Sequence, residues 1–511
     1  MAAVFARAVE ARRSGFGICL GLGALAATGQ APLGWAWGAL AVFAVALALL
    51  SLPARWQTAA WRGWALGTGY FAAALFWIVE PFLVDIARHG WMAPFALAFL
   101  AGGLGLFWAL AFGLAARLGH TQRQRAGLAV VALTSAEMLR SFVFTGFPWA
   151  LVGHIWIGTP QMQLASIAGA HGLTLLTLFA AALPTLFGAR RALLGALFGA
   201  ALVSLPAGWA HLRVPSGPAA PAEPAVTVRL VQPNAAQHLK WDPELMPVYF
   251  ERQLGFTAAP PTAGAQRPDV VIWPETAVPW LLDNAAHAFR LMADAADGAQ
   301  VLAGVQRREM DGRWFNTLVT LDESGAVTGR YDKHHLVPFG EYMPFSSLFS
   351  RLSIFGLAAN ASGGYSAGPG PVLLDLGNAG TILPLICYEA IFPNDIARAP
   401  GRADWLVQVT NDAWFGRLAG PYQHLALARL RAVEQGVPLV RAANTGVSAA
   451  FDPFGRELVR LPLGEAGYTD LRLPAPLPPT PYSRFGDLPL VPLLAAMAVA
   501  ALLQGRRPRD S

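Results

Sequence analysis

Long apolar runs are the feature that most constrains how this 511-residue chain can fold. From about residue 15 to residue 210 they follow one another with only short polar loops between them, and one more run lies near the end of the sequence. With 55% of its residues hydrophobic and 13% charged, the chain is far from a soluble average. A run of about 20 apolar residues can cross a bilayer as a helix. The pattern therefore predicts a membrane α-helical bundle.

We predict eight membrane segments, with a region of ordinary globular composition between the seventh and the eighth. They are residues 15–29, 33–52, 63–83, 91–116, 127–146, 161–187, 192–210 and 487–504. These limits predict a transmembrane bundle (1–215), a globular domain (216–486) and a last helix with a basic tail (487–511). Glu137 and Arg140 share one face of the fifth segment and can pair inside the bundle. The sequence leaves open whether they only hold the bundle together or help to receive a substrate.

Arginines flank alternate segments, and this asymmetry predicts the orientation. They occur before the first segment, in every second loop and after the last segment, at Arg7, Arg12, Arg13, Arg55, Arg62, Arg117, Arg123, Arg125, Arg190, Arg191, Arg506, Arg507 and Arg509. All of them would lie on one side of the membrane, and the positive-inside rule assigns that side to the cytoplasm. The globular domain is then expected on the outer side of the inner membrane. We expect the first apolar run to be a retained anchor, because no convincing cleavage site follows it.

The net charge of +6 reflects this topology, because no basic stripe interleaved with aromatic residues occurs in the globular part. Nucleic acid is therefore not an expected partner. No zinc-type spacing of Cys and His and no phosphate-binding glycine loop occurs in the sequence, so we expect no metal and no cofactor. His334 and His335 are not interpreted as a metal site, because adjacent side chains on a loop or strand diverge.

The globular part begins with a Pro/Ala-rich linker, residues 216–224. Runs rich in Val, Ile and Leu then predict strands over residues 226–231, 270–272, 301–305, 317–321, 372–376, 382–386, 405–409, 439–442 and 447–451. Helical patterns occur between several of them, over residues 246–256, 285–296 and 422–435. Strands alternating with helices, together with hairpin-like pairs, predict an α/β layered sandwich. The turn-prone residues 322–325 support one of the hairpins.

Three polar residues stand at the ends of segments and carry the predicted chemistry. Cys387 follows one apolar run directly, and Glu275 and Lys333 end two other segments. A cysteine at the end of a buried strand can be a small core residue, or a nucleophile that needs a base and an oxyanion stabiliser. Because a glutamate and a lysine occupy comparable positions, the sequence favours a catalytic Cys387. The other cysteine, Cys19, lies in the N-terminal apolar stretch.

Four motifs around these residues carry a family resemblance. They are Trp273-Pro-Glu275, Lys333-His-His-Leu-Val-Pro-Phe-Gly-Glu-Tyr342, Cys387-Tyr-Glu389 and Asn411-Asp-Ala-Trp-Phe-Gly416. Together they resemble the carbon–nitrogen hydrolase (nitrilase) superfamily, which implies an αββα sandwich. With seven apolar segments before the domain and one after it, the chain resembles the apolipoprotein N-acyltransferase family of bacterial inner membranes.

The resemblance implies an acyltransferase of the inner membrane whose catalytic domain faces the periplasm. The acyl donor would be a phospholipid, and the acceptor would be the N-terminal α-amine of a diacylglyceryl-cysteine apolipoprotein. Cys387 would hold the acyl group as a thioester between the two steps of a ping-pong reaction. Glu275 would act as general base and acid, and Lys333 would stabilise the oxyanion and favour the thiolate.

Three more motif residues are candidates for supporting roles. Glu341 would orient Lys333 or Glu275, and its alternative is a surface or helix-capping carboxylate. Tyr388 and Glu389 match positions that matter for activity in the family. Their alternatives are a side chain at the edge of the core and a favourable acidic residue in the first turn of the next helix.

Three residues of the globular domain are candidates for the substrate pocket. Trp241 matches a tryptophan that follows the first strand, and it would wall the acyl pocket unless it is a plain core aromatic. Asn411 and Trp414 would line the same pocket, although an Asn after a strand is often a turn residue.

An apolar stretch between Tyr342 and Gly370 would be an aggregation risk in a soluble enzyme. Its large residues are Phe345, Leu348, Phe349, Leu352, Ile354, Phe355 and Leu357. Beside a bilayer it can dip into the lipid surface and gate acyl-chain entry. We therefore expect replacement of both Phe349 and Phe355 by Ser to raise the KM for the lipid substrate, measured as the rate against lipid concentration. Unchanged kinetics would contradict this role.

Two other function classes stay open at the level of the sequence. A membrane-tethered amidase of the same superfamily would share the three residues and resolve the acyl-enzyme with water. A non-enzymatic lipid-binding scaffold is the third class. The intact set of Glu275, Lys333 and Cys387 argues against it, and loss of any one of them would have favoured it. The eight-segment scaffold favours acyl transfer over the amidase, because a soluble amide needs no access to lipid.

Overall fold

The computed structural model describes residues 12–344 and 364–503, and these residues form two compact units. The helical unit contains residues 12–79, 88–215 and 480–503, and the α/β unit contains residues 80–87, 216–344 and 364–479. The short segment 80–87 therefore belongs with the α/β unit although it lies between apolar helices in the sequence. Phe349 and Phe355 lie outside the described residues.

A helix of the helical unit overlaps each of the eight predicted membrane segments. The helices are α1 (Arg12–Ala26), α2 (Ala36–Leu50), α3 (Trp56–Ala74), α4 (Ala93–Leu118), α5 (Gln122–Arg140), α6 (Ala165–Phe187), α7 (Ala192–Arg213) and a C-terminal helix (Leu490–Leu503). Their large apolar content matches a bundle that meets lipid on its outer faces.

Among the described residues, the helical runs that are long and apolar enough to cross a membrane are Ile86–Leu118, Pro160–Phe187 and Ala189–Arg213. Trp56–Ala74 and Phe76–Leu83 pass this test together, but they are bent by 65° at the break between them. Three further apolar helices are shorter, namely Gly15–Gly29, Ala36–Leu50 and Leu490–Leu503. Apolar membrane helices are thus present, and the number of eight spans is not confirmed.

Helix α5 begins earlier than the predicted segment 127–146. Thr121 caps its first turn: the Thr121 hydroxyl accepts from the Gln124 backbone N–H at 3.2 Å, and Gln124 Oε1 accepts from the Thr121 N–H at 3.2 Å. A polar first turn of this kind carries no apolar signal, so apolar periodicity alone places the start too late.

The predicted pair of Glu137 and Arg140 is present in the helical unit and is fully buried. Arg140 Nη2 lies 2.8 Å from Glu137 Oε2, and the Trp108 indole donates to Glu137 Oε1 at 2.8 Å. Arg140 Nη1 also donates to the Trp149 carbonyl at 2.9 Å. These contacts engage both carboxylate oxygens and connect α4, α5 and the loop at Trp149.

Twelve strands in the described part of the α/β unit form two six-stranded sheets. They are β1 (Thr227–Gln232), β2 (Val270–Ile272), β3 (Gln300–Arg308), β4 (Trp314–Leu321), β5 (Val327–Asp332), β6 (Leu374–Asp375), β7 (Thr381–Ile386), β8 (Trp405–Thr410), β9 (Leu439–Ala443), β10 (Ser448–Phe451), β11 (Glu457–Leu461) and β12 (Gly467–Arg472). The strand orders are β12-β1-β2-β3-β4-β5 and β11-β10-β9-β8-β7-β6.

Each sheet has parallel strands at its centre and antiparallel strands towards its edges. Strands β1, β2 and β3 are parallel in one sheet, and β7, β8 and β9 are parallel in the other. Helices α8 (Leu245–Ala258) and α9 (Ala286–Ala296) cover the first sheet, and α10 (Gly420–Gln435) covers the second. Strands β1 and β8 are buried along their whole length, as expected when both faces of a sheet are covered. The predicted α/β sandwich is confirmed.

Some strands carry no clear apolar signal. The predicted turn at residues 322–325 joins β4 to β5 in an antiparallel hairpin, as expected. By contrast, the sequence analysis predicts no strand at β5, β11 or β12. All three lie at sheet edges, and β11 is exposed or half-buried throughout, with Glu457 and Arg460 in its sequence. An edge strand of this kind has little apolar surface to bury and often carries charges.

Candidate active site

Glu275, Lys333 and Cys387 each follow the end of a strand in the α/β unit. Lys333 comes directly after β5, Cys387 directly after β7, and Glu275 lies in the turn after β2. All three are buried. The charges of Glu275 and Lys333 both act on the thiol of Cys387, so the fold brings the three residues into one site.

Two nitrogen donors hold the carboxylate of Glu275. Asn316 Nδ2 donates to Oε1 at 2.6 Å, and the backbone N–H of Asn411 donates to Oε2 at 2.7 Å. Burial raises the pKa of Glu275, although the nearby positive charge of Lys333 opposes this shift. A carboxylate with a raised pKa binds a proton more readily than an exposed one, so it suits a group that must take up a proton and give it back.

Lys333 and Glu341 form a buried ion pair. Lys333 Nζ lies 2.8 Å from the Glu341 carboxylate, and the backbone N–H of Val337 also donates to this carboxylate at 2.8 Å. Burial alone would lower the pKa of Lys333, but the negative charges of Glu341 and Glu275 raise it above its usual range. The lysine is therefore a fixed positive charge in this site, and Glu341 is its ion-pair partner.

Cys387 is held in an uncommon backbone conformation. Its φ is +52°, in the left-handed region, and it begins the helical turn Cys387–Ile391. Both Cys387 and Cys19 are free thiols. Burial raises the pKa of the Cys387 thiol, and so does the negative charge of Glu275, whereas Lys333 lowers it. The thiol is therefore protonated in the free site and needs a nearby base to become a nucleophile.

Lys240 and Asn316 belong to this site, although the sequence analysis did not single them out. Lys240 Nζ donates to the Glu275 carbonyl at 3.1 Å and to the Thr276 hydroxyl at 2.7 Å. Burial lowers the pKa of Lys240 to about 8, and Glu275 opposes this shift. The available signal for Asn316 is a polar amide in an apolar strand; Lys240 had no signal beyond its neighbour Trp241.

Tyr388 and Glu389 directly follow Cys387 in the same helical turn, and both are buried. The Tyr388 ring is buried and packs edge-on against the rings of His335 and Phe392. Glu389 is fully buried and accepts hydrogen bonds at 2.6–3.2 Å from the Tyr331 hydroxyl and from the backbone N–H groups of Ile386, His334 and His335. Burial opposes ionisation of Glu389, but its contacts with His334 lower its pKa. Glu389 thus links the turn that begins at Cys387 to the loop after Lys333.

We expect Glu389→Gln to lower the stability of the α/β unit by about 3–5 kcal/mol, because an amide cannot accept from all these donors. Thermal unfolding of the full-length protein in detergent measures this change. Glu457→Gln is the matched control, since Glu457 pairs with Arg460 on an exposed strand and such pairs contribute little. A variant with unchanged unfolding but lost activity would instead assign Glu389 a direct catalytic role.

The three pocket candidates differ in their environments. Trp241 is 40% exposed, and Lys240 Nζ lies 5.5 Å from the centre of its ring. Trp414 is half-buried in the turn that follows β8. Asn411 is buried, and its side chain contacts Asn444 and Gln237 at 2.9 and 2.7 Å while its backbone holds Glu275. The observed contacts of Asn411 therefore orient the proposed base.

His334 and His335 both contact acidic side chains. His335 Nδ1 lies 2.7 Å from Asp395, and His334 Nδ1 lies 2.8 Å from Glu389. Burial lowers the pKa of His334, but Asp395 and Glu389 raise it overall to about 9, so it is charged at neutral pH. Across residues 12–344 and 364–503, no group of three or more His, Cys, Asp and Glu side chains is arranged to hold a metal ion.

Comparison with known proteins identifies the class first. A family model described as "Carbon-nitrogen hydrolase" matches residues 228–474, a range that includes both sheets except Thr227 and contains all three strand-end residues. A second model, "Apolipoprotein N-acyltransferase N-terminal domain", matches residues 22–183. The α/β unit is thus a carbon–nitrogen hydrolase domain joined to the N-terminal part of a membrane acyltransferase.

Curated relatives then show the particular family. The "Apolipoprotein N-acyltransferase" of Rhodopseudomonas palustris is 37% identical over 516 residues, covering 96% of this chain and 95% of the relative. That of Sinorhizobium fredii is 41% identical over 432 residues, covering 83% of this chain and 81% of the relative. The chain belongs to the apolipoprotein N-acyltransferase family and is an acyltransferase. A solved CN-hydrolase superfamily protein from Xanthomonas campestris is 22% identical with a TM-score of 0.36, covering 55% of this chain and 98% of that one.

Proposed function

We propose that the protein moves an acyl chain from a phospholipid to the N-terminal α-amine of a diacylglyceryl-cysteine apolipoprotein, through a thioester on Cys387. The observation that carries this proposal is the grouping of a buried thiol, a carboxylate with a raised pKa and a fixed positive charge. Family membership favours an amine acceptor over water, since the relatives are named as N-acyltransferases.

In the first step, Glu275 takes the thiol proton of Cys387, and the thiolate attacks the ester carbonyl of the phospholipid. A C–S bond forms, and the carbonyl electron pair moves to the oxygen, where the charge of Lys333 stabilises it. When this intermediate collapses, the ester C–O bond breaks, and Glu275 returns the proton to the departing lysophospholipid alkoxide. The acyl group is left on Cys387 as a thioester.

In the second step, the α-amine attacks the thioester carbonyl. A C–N bond forms, Glu275 takes a proton from the amine, the C–S bond breaks, and the proton passes to the released thiolate. Asn316 Oδ1 is buried and has no hydrogen-bond partner among the described residues. Because the same amide holds Glu275 through Nδ2, Oδ1 offers an acceptor for an N–H of the incoming amine.

We further propose that the helical unit spans the bacterial inner membrane eight times and that the catalytic domain, residues 216–486, faces the periplasm. Support comes from a helix at each predicted segment and from the arginines that flank alternate segments. The shorter apolar helices would cross with local thinning of the bilayer or with help from flanking polar residues. The phospholipid donor and the lipoprotein acceptor both fit a membrane enzyme of this orientation.

The intact mass of the purified full-length protein, incubated with phospholipid vesicles, tests the proposal. We expect a gain of one acyl chain that hydroxylamine removes, as it does for a thioester. Addition of a diacylated lipopeptide should discharge the adduct and yield an acylated peptide. Discharge by water at the same rate would instead support a membrane-tethered amidase, and a chain that never gains mass would contradict the thioester route.

A further inference from the structure

A fully buried polar cluster lies next to the backbone of Cys387, and the two proposed acyl-transfer steps do not use it. We call it the carbonyl cluster; its members are Gln408 on β8, Asp412 in the turn after β8, His424 on α10 and Arg441 on β9. Each of these side chains is at most 1% exposed. Burying four polar side chains costs free energy unless each has a hydrogen-bond partner. The contacts among these four side chains therefore indicate their role.

The carbonyl cluster contacts the backbone carbonyl of Cys387. Gln408 Nε2 and His424 Nε2 each lie 3.0 Å from the carbonyl oxygen of Cys387. This carbonyl belongs to the residue whose φ is +52°. A left-handed conformation costs a residue with a side chain about 1–2 kcal/mol, so it persists only where surrounding contacts hold it. A hydrogen bond to the carbonyl is a direct way to hold it.

The other contacts determine the hydrogen positions within the cluster. His424 Nδ1 lies 2.9 Å from Asp412 Oδ1, Arg441 pairs with Asp412, and Arg441 Nη1 donates to Gln408 Oε1 at 2.6 Å. Burial and the positive charge of Arg441 lower the pKa of His424, so its ring is neutral. The ring then donates to Asp412 through Nδ1–H and accepts at Nε2 from Gln408 at 3.0 Å. The second amide hydrogen of Gln408 is left for the Cys387 carbonyl.

This arrangement excludes a Cys–His–Asp triad for the His424–Asp412 pair. A neutral imidazole has one free lone pair, and at His424 it accepts from the Gln408 amide. The ring therefore cannot take the thiol proton in this state. Proton transfer stays with Glu275, and the carbonyl cluster acts on the backbone.

We propose that Gln408, oriented by His424, is a positioning residue that holds the Cys387 carbonyl, and through it the thiol, in the geometry for attack. The inference rests on the proposed function, since it takes Cys387 as the nucleophile. Asp412 and Arg441 complete the arrangement, because they fix the tautomer of His424 and the orientation of the Gln408 amide. A thiol released from this geometry would still bind lipid beside it but would attack more slowly.

A matched pair of variants at residue 424 tests the proposal in the full-length protein. His424→Asn keeps an amide nitrogen near the Nδ1 position for Asp412 but has no polar atom at the Nε2 position. His424→Gln reaches the Nε2 position and can engage Gln408. We expect His424→Asn to lower the single-turnover acylation rate of Cys387 by about 10- to 100-fold with little change in the KM for phospholipid, and His424→Gln to stay within about 5-fold of wild type.

The outcomes separate the two proposals. If the wild-type protein never gains an acyl adduct, the proposed function itself fails. If the wild type is acylated and His424→Asn is acylated equally fast, only the positioning role is overturned. A loss shared by both variants, in proportion to a lower melting temperature, overturns it as well. Should His424→Asn fail to fold, Gln408→Met removes the same contact from β8 and should show the same slow acylation at unchanged KM.

Discussion

Replacement of Cys387 by Ala is expected to lower acyl transfer by at least about 10⁴-fold and to remove the acyl adduct completely. The covalent route has no substitute for the thiol, since the ester must first become a thioester before the amine reacts with it. The remaining site would still bind phospholipid, because Glu275, Lys333 and the surrounding strands do not depend on the sulfur. We therefore expect the substitution to lower kcat and to leave the KM for phospholipid nearly unchanged.

The chain offers a matched control for this change, because it has only two cysteines. Cys19 is fully buried in α1 of the helical unit, and Cys19→Ala should leave both the adduct and turnover near wild type. The measurement is the intact mass after incubation with phospholipid, together with the rate of lipopeptide acylation. An adduct that persists in Cys387→Ala and disappears in Cys19→Ala would contradict this prediction, because it would assign the nucleophile to Cys19 of the helical unit.

The layered α/β fold was predictable because its central strands are buried on both faces. Such strands appear as short continuous apolar runs, and β2, β7 and β8 lie within a residue or two of their predicted limits. Edge strands such as β11 send few side chains into a core, so their sequence resembles a polar loop. For the same reason the polar first turn of α5 escaped an analysis based on apolar residues.

The strand-end residues of the site were predictable for a different reason. A Cys or Glu that closes an apolar run is visible in the sequence, and so is the Lys that ends a short segment. In the structure each of the three follows the end of a strand. The groups that hold these residues are not visible in this way. The Asn411 N–H that binds Glu275 is 136 residues away in sequence, and the Lys240 ammonium binds the Glu275 backbone from another loop. Such contacts depend on the register of the packed sheets.

The carbonyl cluster illustrates the same limit within predicted elements. Gln408 and Arg441 lie in runs that the sequence analysis assigned to strands, and His424 lies in a predicted helix. Each looks like an isolated polar residue in an apolar or amphipathic segment. Only the packing of α10 against β8 and β9 brings them to the carbonyl of Cys387.

Glu275→Gln is expected to lower the acylation rate by about 10²–10⁴-fold, which is the usual contribution of a positioned general base. The amide has nearly the same shape but cannot take the thiol proton. One of its two donors, Asn316 Nδ2 or the Asn411 N–H, would then face an NH₂ group, so a stability loss of about 1–3 kcal/mol should accompany the change. Single-turnover acylation and thermal unfolding measure the two effects separately.

The pH dependence of activity shows whether Glu275→Gln removes the general base or only distorts the site. Glu275 must be ionised to take the thiol proton, and because burial raises its pKa, activity should fall with decreasing pH already above the usual glutamate range near pH 4.3. Glu275→Gln should lose this acidic limb, whereas Glu323→Gln, an exposed residue in the β4–β5 turn, should keep both rate and profile. An acidic limb that survives unchanged in Glu275→Gln would assign the base to another group. A limb caused by Lys240 would lie near pH 8 instead, because burial lowers the pKa of Lys240 to about 8 and only its deprotonated form can act as a base.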